Sequence, residues 1–350
     1  MMMPWTQLRQ LGILGMNQRN ADYIMLHNSR SRYPLVDDKR LTKQLAINAR
    51  IAVPELYGIV DIVHQIGHLD EMLGSHEDFV IKPAHGSGGE GILVINGRYK
   101  GRYRKASGVM LTRGEMSHHI ENILSGMYSL GGLPDAALIE YCVKFDRVFE
   151  AVSYQGVPDI RTLVFRGVPV LAMIRLPTRL SDGKANLHQG AIGVGIELAT
   201  GVTRKGVFLD QVVDNHPDTG AGIDALQIPH WETILELATR CADLVNLGYI
   251  GVDIVLDREL GPLVLELNAR PGLSIQIANK IGPCVVKAQV PTGKRGKAGG
   301  IALAGTPDEA RKEAERILAM AIAGFPVRSV LVEAQVAIAK EFYAAVLNDS

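Results

Sequence analysis

The chain has 350 residues, 37 of them basic and 37 acidic, so its formal charge at pH 7 is zero. That balance removes the electrostatic case for nucleic acid or an anionic membrane as a general partner, and no uninterrupted apolar run is long enough to insert in a bilayer. Cys142, Cys241 and Cys284 are too few and too widely spaced for a disulfide framework or a zinc site. The N-terminus, Met-Met-Met-Pro-Trp-Thr-Gln-Leu-Arg, lacks the apolar core and cleavage site of a secretory signal, so the expected setting is the cytoplasm.

At roughly 150 residues per domain the length allows about two domains. Residues 1–38 carry no long periodic segment and are too few for a domain of their own. From Asp38-Lys39 the pattern turns helical, with Leu41, Leu45 and Ile47 as a rough apolar stripe that Val53-Pro54 ends. A strand is expected over 78–82 and a second ending at Ile95, joined by a glycine-rich turn. The basic, tyrosine-interleaved run Arg98–Lys105 reads as a solvated hairpin or loop. Residues 115–130 predict an amphipathic helix, and Ala-Ala-Leu-Ile-Glu140-Tyr141 predicts a buried strand. Strands from about 159 to 202, a helix over about 230–246 and two further apolar strands complete an α+β arrangement. Boundaries are expected near 38, 145 and 280, giving segments 1–38, 39–145, 146–280 and 281–350.

The last seventy residues repeat an earlier logic. Val285-Val-Lys287-Ala followed by Gly293-Lys-Arg-Gly-Lys-Ala-Gly-Gly300 parallels Val80-Ile-Lys82-Pro-Ala-His-Gly86-Ser87-Gly88-Gly89-Glu-Gly91. Thr306-Pro307-Asp-Glu309 is a capping box with proline at the first helical position, and Val-Leu-Val-Glu333 mirrors Leu-Ile-Glu140. The tail therefore reads as a second copy of a small lobe.

Chemistry concentrates in a few places. Lys82 ends a strand and precedes five glycines between positions 86 and 97, four of them within 86–91. Glycine lets backbone N–H groups approach phosphate oxygens while a lysine adds a point charge. The loop joins two strands, so it differs from a P-loop, in which Gly-Lys-Ser/Thr opens a helix. Thirteen residues after Asp253 comes Glu266, which opens Glu266-Leu-Asn268-Ala-Arg270-Pro-Gly272. Alternate residues of a strand share a face, so Glu266 and Asn268 point the same way. With Asp253 they offer an all-oxygen site of the kind magnesium favours when phosphates supply further ligands.

Other candidates read two ways. Glu140-Tyr141 ends a buried strand and suits either an adenine edge or plain solvent contact. Asp159-Ile-Arg161 places an acid and a base on one strand face, as a salt bridge or a ligand contact. Lys184-Ala185-Asn186-Leu-His188 suits a loop closing on a ligand. Arg175, on an apolar strand, needs a carboxylate or phosphoryl partner. Arg270, fixed by Pro271-Gly272, is a candidate clamp for a carboxylate or acyl phosphate.

As a set, Gly15-Met-Asn-Gln-Arg19-Asn20, Asp38-Lys39, Val80-Ile-Lys82-Pro, Leu-Ile-Glu140-Tyr141, Pro-Asp159-Ile-Arg161, Lys184-Ala-Asn186-Leu-His188, Gly-Val-Asp253 and Leu-Glu266-Leu-Asn268-Ala-Arg270-Pro-Gly resemble the ATP-grasp superfamily over about residues 10–280. The nearest branch is the alpha-L-glutamate ligase-like (RimK-related) proteins. From about Asn279 the tail resembles the start of a succinyl-CoA ligase beta subunit. The resemblance implies ATP gripped between two α+β lobes, followed by a partial second ATP-grasp small lobe.

Carried over residue by residue, it implies nucleotide contacts from Lys39, Lys82, Gly86, Ser87, Gly88, Gly89, Glu140, Tyr141, Asp159, Lys184, Ala185 and Asn186. It also implies Mg2+ or Mn2+ on Asp253, Glu266 and Asn268, with Arg175 and Arg270 stabilising the transferring phosphoryl group. Against the full N-terminal domain that peptide-forming members carry, the resemblance leads one to expect a reduced segment of about 38 residues here.

The expected activity is ATP-dependent carboxylate–amine ligation through an acyl phosphate, with an amino acid such as glutamate or a peptide as substrate. A homo-oligomer is compatible with the sequence. One alternative is ATP and magnesium binding without turnover; another is a fragment of an acid–thiol (acyl-CoA) ligase. Glu266→Gln is expected to abolish ADP formation while leaving the fold intact, whereas Lys287→Ala leaves ADP release near the parent rate; a nucleotide-coupled ADP assay on both variants checks this.

Overall fold

The computed structural model describes residues 14–86, 88–105, 107–129, 131–209, 211–279, 284–292, 295–304 and 307–334. The chain divides into two compact units, Met16–Asn279, and Met1–Gly15 with Lys280–Ser350.

The first half of the Met16–Asn279 unit is built on β1 (Leu56–Val60), β2 (Phe79–Pro83), β3 (Leu93–Tyr99), β4 (Arg102–Lys105), β5 (Met110–Leu111) and β6 (Ala137–Glu140). They form one antiparallel sheet in the order β1-β6-β2-β3-β4-β5. Strand alternation assigns the two faces. Phe79, Ile81 and Ile139 are fully buried against Met116, Ile120 and Ile123 of the Arg113–Leu124 helix, so Val80, Lys82 and Glu140 fall on the opposite face.

That helix starts on a capping box. The Thr112 hydroxyl accepts from the Glu115 N–H at 3.2 Å, and the Glu115 carboxylate accepts from the Thr112 N–H at 2.7 Å. It ends at Leu124, six residues short of the expected 130. Gly126, at φ +84°, turns the chain so close to Leu133 that a Cβ would lie 2.3 Å from its carbonyl oxygen, which only glycine permits.

The Lys39–Asn48 helix forms where the pattern placed it, but with a different face inward. Leu41 and Ile47 are exposed, while Thr42, Lys43 and Ala46 are buried. The sequence stripe misleads because this helix turns a polar edge inward, where Lys43 finds the Glu140 carboxylate.

The second half contains β7 (Asp159–Phe165), β8 (Val168–Leu176), β9 (Ile192–Ile196), β10 (Thr203–Phe208), β11 (Gln211–Val213), β12 (Tyr249–Asp257) and β13 (Gly261–Asn268). Their order is β11-β10-β9-β8-β7-β12-β13, again antiparallel throughout. Ile160, Val164, Ala172, Ile174, Val252 and Ile254 form a core with the Trp231–Val245 helix, which contributes Ile234, Leu237, Ala238 and Cys241. Each large side chain buried there contributes about 1.5–3 kcal/mol of transfer free energy. The intervening residues Asp159, Arg161, Met173, Arg175 and Asp253 are thereby placed on the other face.

Residues 16–38 belong to this unit. Asn28 is buried, and its amide donates to the carbonyls of Tyr249 at 2.7 Å and Ala269 at 3.2 Å. Its oxygen accepts from the Tyr249 N–H at 2.9 Å. One side chain thus fastens the start of β12 to the turn after β13. Arg19, also buried, donates to the Pro271 carbonyl at 2.5 Å.

In the other unit β14 (Cys284–Gln289) lies between β15 (Ile301–Ala304) and β18 (Ser329–Ala334), with β16 (Ala321–Ile322) and β17 (Phe325–Pro326) as a separate pair. The Pro307–Leu318 helix packs Ile317 with Val286 and Ala288. The repeat read from sequence is present in the register: Lys287 faces Leu331 and Val285 faces Glu333, as Lys82 faces Leu138 and Val80 faces Glu140. Thr306, Gly293, Ser87 and the residues beyond 334 lie outside the described set. No described helix is long and apolar enough to cross a membrane.

Asn28→Ala leaves three buried backbone groups without their partner and is expected to destabilise the fold by about 2 kcal/mol, read as a lowered urea midpoint with an unchanged slope.

Candidate functional site

The polar faces of the two sheets in the Met16–Asn279 unit look into one cleft of about 980 Å³, a size at the upper end for small-molecule sites. One wall carries Lys39, Lys82, Gly88, Gly89, Glu140 and Tyr141. The other carries Asp159, Arg161, Arg175, Asp253, Glu266 and Asn268, with Lys184, Ala185 and Asn186 on a loop at the rim. The structure therefore brings together most of the residues that the sequence singled out, from positions as far as 229 apart.

On the first wall, Lys39 is anchored by its N–H on the Ala84 carbonyl and by its ammonium on the Gly86 carbonyl at 2.6 Å. Burial pulls the Lys39 ammonium below its usual range, against the opposing charge of Glu266. Lys82 pairs with one oxygen of Glu140, and Lys43 pairs with the other at 2.5 Å. Burial alone would raise Glu140; Lys82 and Lys43 outweigh it and hold the carboxyl below its usual value. Gly88 and Gly89 adopt φ of +67° and +80°, where glycine is unstrained. The Gly88 carbonyl accepts from Asn186 at 3.3 Å and Gln189 at 3.5 Å, so the rim loop meets the glycine loop over the cleft.

The second wall is ordered by register. Arg161, Asp253 and Glu266 lie directly opposite one another across β7, β12 and β13, and Asp159 lies opposite Arg175. A bulge makes the first rung possible. Asp253 faces Glu266 but the next residue, Ile254, faces Val264, leaving Leu265 as the extra residue. Bulges re-aim side chains in this way beside active sites.

Arg161 grips Asp253 with two bonds, Nε to Oδ1 at 2.7 Å and NH2 to Oδ2 at 2.5 Å. Arg175 bridges Asp159 and Asp253, reaching the latter at 2.8 Å. Burial would raise the Asp253 carboxyl, but Arg161 and Arg175 reverse this and hold it at about 2. The same two aspartates raise Arg175 against the effect of burial.

The donor set fits a hard cation. Asn268 adds a third donor to Asp253 Oδ2 at 3.2 Å, while Oδ1 accepts, among the described residues, only from Arg161 Nε. A carboxylate has about four lone-pair positions, so Oδ1 retains one. Glu266 is half-buried and, among the described residues, makes no hydrogen bond or ion pair, while its charge acts on Lys39 and Arg175. Those oxygens and the Asn268 amide would hold Mg2+, with phosphate oxygens completing the six positions it demands. Among the described residues, no group of three or more His, Cys, Asp or Glu side chains is placed to hold a metal ion by itself, so the phosphate oxygens and the Asn268 amide would be needed to complete the set.

Several expected contacts sit differently. Arg270 does not line the cleft; it is exposed, with its guanidinium over the Tyr33 ring at 5.0 Å. Gly86 contributes a carbonyl to Lys39 instead of lining the cavity. The Glu140 carboxylate faces two lysines, and the Tyr141 hydroxyl donates to Asp257 at 3.0 Å. Ser87 is outside the described residues. Sequence reasoning missed Lys43, although it stands one helical turn after Lys39. It also missed the Leu265 bulge, for which no local signal exists. Cys142 lines the cleft, but burial pushes its thiol up to about 11, leaving it protonated and a poor nucleophile.

Between an unfolded value of 3.8 and a folded value of about 2, native Asp253 binds fewer protons than the unfolded chain. Its stabilisation is complete above that range and drains away as pH falls through it. Urea midpoints measured from about pH 4 down to about pH 2 are expected to fall more steeply in the parent than in Asp253→Asn.

Comparison with known proteins places these features in a family. A family model described as sugar-transfer associated ATP-grasp matches residues 18–290, and one described as ATP-grasp domain matches 269–350. The chain is 52% identical over 75 residues to the succinate–CoA ligase [GDP-forming] subunit beta of Thermus thermophilus, covering 21% of this chain and 20% of that protein. It is 48% identical over 81 residues to the ADP-forming subunit beta of Ignicoccus hospitalis, covering 23% and 22%. The chain thus spans about a fifth of the length of the curated relatives it matches.

Among solved structures, the ATP-grasp ligase PsnB complexed with minimal precursor, Mg and ADP is similar at 17% identity and TM-score 0.37, over 70% of this chain and 54% of that one. The D-alanine–D-alanine ligase from Bacillus anthracis complexed with ATP is similar at 13% identity and TM-score 0.38, over 71% and 61%. The superfamily expected from the motifs is the one matched, under a branch named for sugar transfer instead of glutamate ligation. The chain belongs to the sugar-transfer associated ATP-grasp family.

Proposed function

We propose that the Met16–Asn279 unit is an ATP-dependent, magnesium-requiring ligase that joins a carboxylate to an amine. The observation that carries this reading is the cleft itself: a lysine and glycine wall facing the Arg161–Asp253–Glu266 rung. A carboxylate is a poor acyl donor. Attack of its oxygen on the γ-phosphorus, with cleavage of the bond to the β-phosphate, releases ADP and yields an acyl phosphate. An amine then attacks the acyl carbon, expels phosphate and loses a proton to give the amide.

Phosphoryl transfer of this kind depends on positioning and charge neutralisation more than on a side-chain nucleophile. Lys39, Lys82 and the backbone N–H groups of the glycine loop would hold the phosphates. Arg175 would neutralise the transferring group, and Glu266, Asp253 and Asn268 would hold Mg2+. When bound, the cation would supply electrostatic stabilisation of the phosphate charge that develops during transfer. Tyr141 and the cleft residues beyond it would receive the base.

The substrate we favour is an amino acid or small peptide. An amino sugar is a further candidate amine, since the family's description reads sugar-transfer associated. A second reading, acid–thiol ligation, is favoured by the 52% identity to a succinate–CoA ligase beta subunit over 75 residues; it would use coenzyme A in place of the amine.

ADP release is expected from the full chain with Mg2+ and ATP only when a carboxylate substrate is present, with hydroxylamine trapping a hydroxamate. Screening amino acids, peptides, amino sugars and coenzyme A separates the acceptors. No substrate-dependent ADP release from any of them would leave nucleotide binding without turnover, and thiol consumption with coenzyme A would select the second reading.

A further inference from the structure

We infer that Lys43 is a positioning residue for the nucleotide phosphates: by sharing the buried Glu140 carboxylate with Lys82, it leaves the Lys82 ammonium available to the cleft. This role rests on the nucleotide site proposed above.

Lys43 lies one turn beyond Lys39 on the Lys39–Asn48 helix and is 6% exposed. Unlike Lys39 and Lys82, it does not line the cleft, so it has no direct route to a phosphate. Its ammonium donates to the Pro54 carbonyl at 2.5 Å and pairs with Glu140 Oε2 at 2.5 Å. Lys82 takes Oε1 of the same carboxylate and does line the cleft.

Burying a lysine in this way costs desolvation that a methionine of similar length would avoid. The carboxylate explains the expense. Glu140 is 3% exposed at the end of β6 and must be balanced. Two lysines around one carboxylate leave a net positive charge at the cleft wall. With Lys43 removed, both Glu140 oxygens would draw on Lys82, and that surplus charge would vanish where phosphate is to be held.

A lysine that merely tied its helix to Pro54 would act whether or not Glu140 were charged, and a double-mutant cycle separates the two roles. Binding of MgATP to the full chain is measured by titration calorimetry, without a carboxylate substrate, for parent, Lys43→Met, Glu140→Gln and the double variant. Lys43→Met is expected to weaken binding about tenfold in the parent background and less than about threefold in the Glu140→Gln background.

Equal tenfold losses in both backgrounds, or no loss in either, would overturn the assignment. Thermal unfolding is recorded for each protein. If Lys43→Met fails to fold, Lys43→Gln, which removes the charge but keeps a donor for the Pro54 carbonyl, takes its place in both backgrounds and the same difference decides it. A parent chain that ignores MgATP would remove the nucleotide reading, and this role with it. Parent binding without a Lys43 effect would remove only this role.

Discussion

Charged side chains on the floor of the cleft are buried, and a buried charge must find its counter-charge within reach. Strand register settles which partners are available. Asp253 sits between Arg161 on one side and Glu266 on the other because β12 is hydrogen-bonded to β7 and β13 in a fixed alignment. The two arginines keep Asp253 ionised, and Glu266 is left with its oxygens open to the cleft. That asymmetry is what suits the wall to the cation proposed for it.

The same alternation divides labour within each strand. In β7, Ile160 and Val164 pack against the Trp231–Val245 helix while Asp159 and Arg161 face the cleft. In β2, Phe79 and Ile81 face the Arg113–Leu124 helix while Val80 and Lys82 face the cleft. The cores that stabilise the lobes therefore also aim the polar side chains, since a slip of one residue would invert both faces. The C-terminal unit uses the identical register around Lys287, which shows how much of this small-lobe architecture is carried by three strands and one helix.

Much was legible in the sequence because its signals are local. Two apolar strands carrying Asp253 and Glu266-Leu-Asn268, a lysine before a glycine loop, and the repeat around Val285–Lys287 all require only period-two alternation and turn chemistry. The α+β class and the ATP-grasp resemblance follow from them. The Lys39–Asn48 helix was legible as a helix but not in its orientation. Its apolar stripe suggested Leu41 and Ile47 as core, whereas burial of Lys43 is decided by a carboxylate 97 positions away, Glu140.

By itself the sequence determined which chemical groups the chain possesses and which strands and loops present them, since propensity, periodicity and glycine placement act over a few residues. Only the tertiary structure decided the pairings: Arg161 with Asp253, Lys43 with Glu140, Asn28 with Tyr249 and Ala269, and Arg270 with Tyr33 rather than with the cleft. Those contacts join residues far apart in the chain. The Leu265 bulge that brings Glu266 opposite Asp253 is a property of two strands together, so neither strand's sequence contains it.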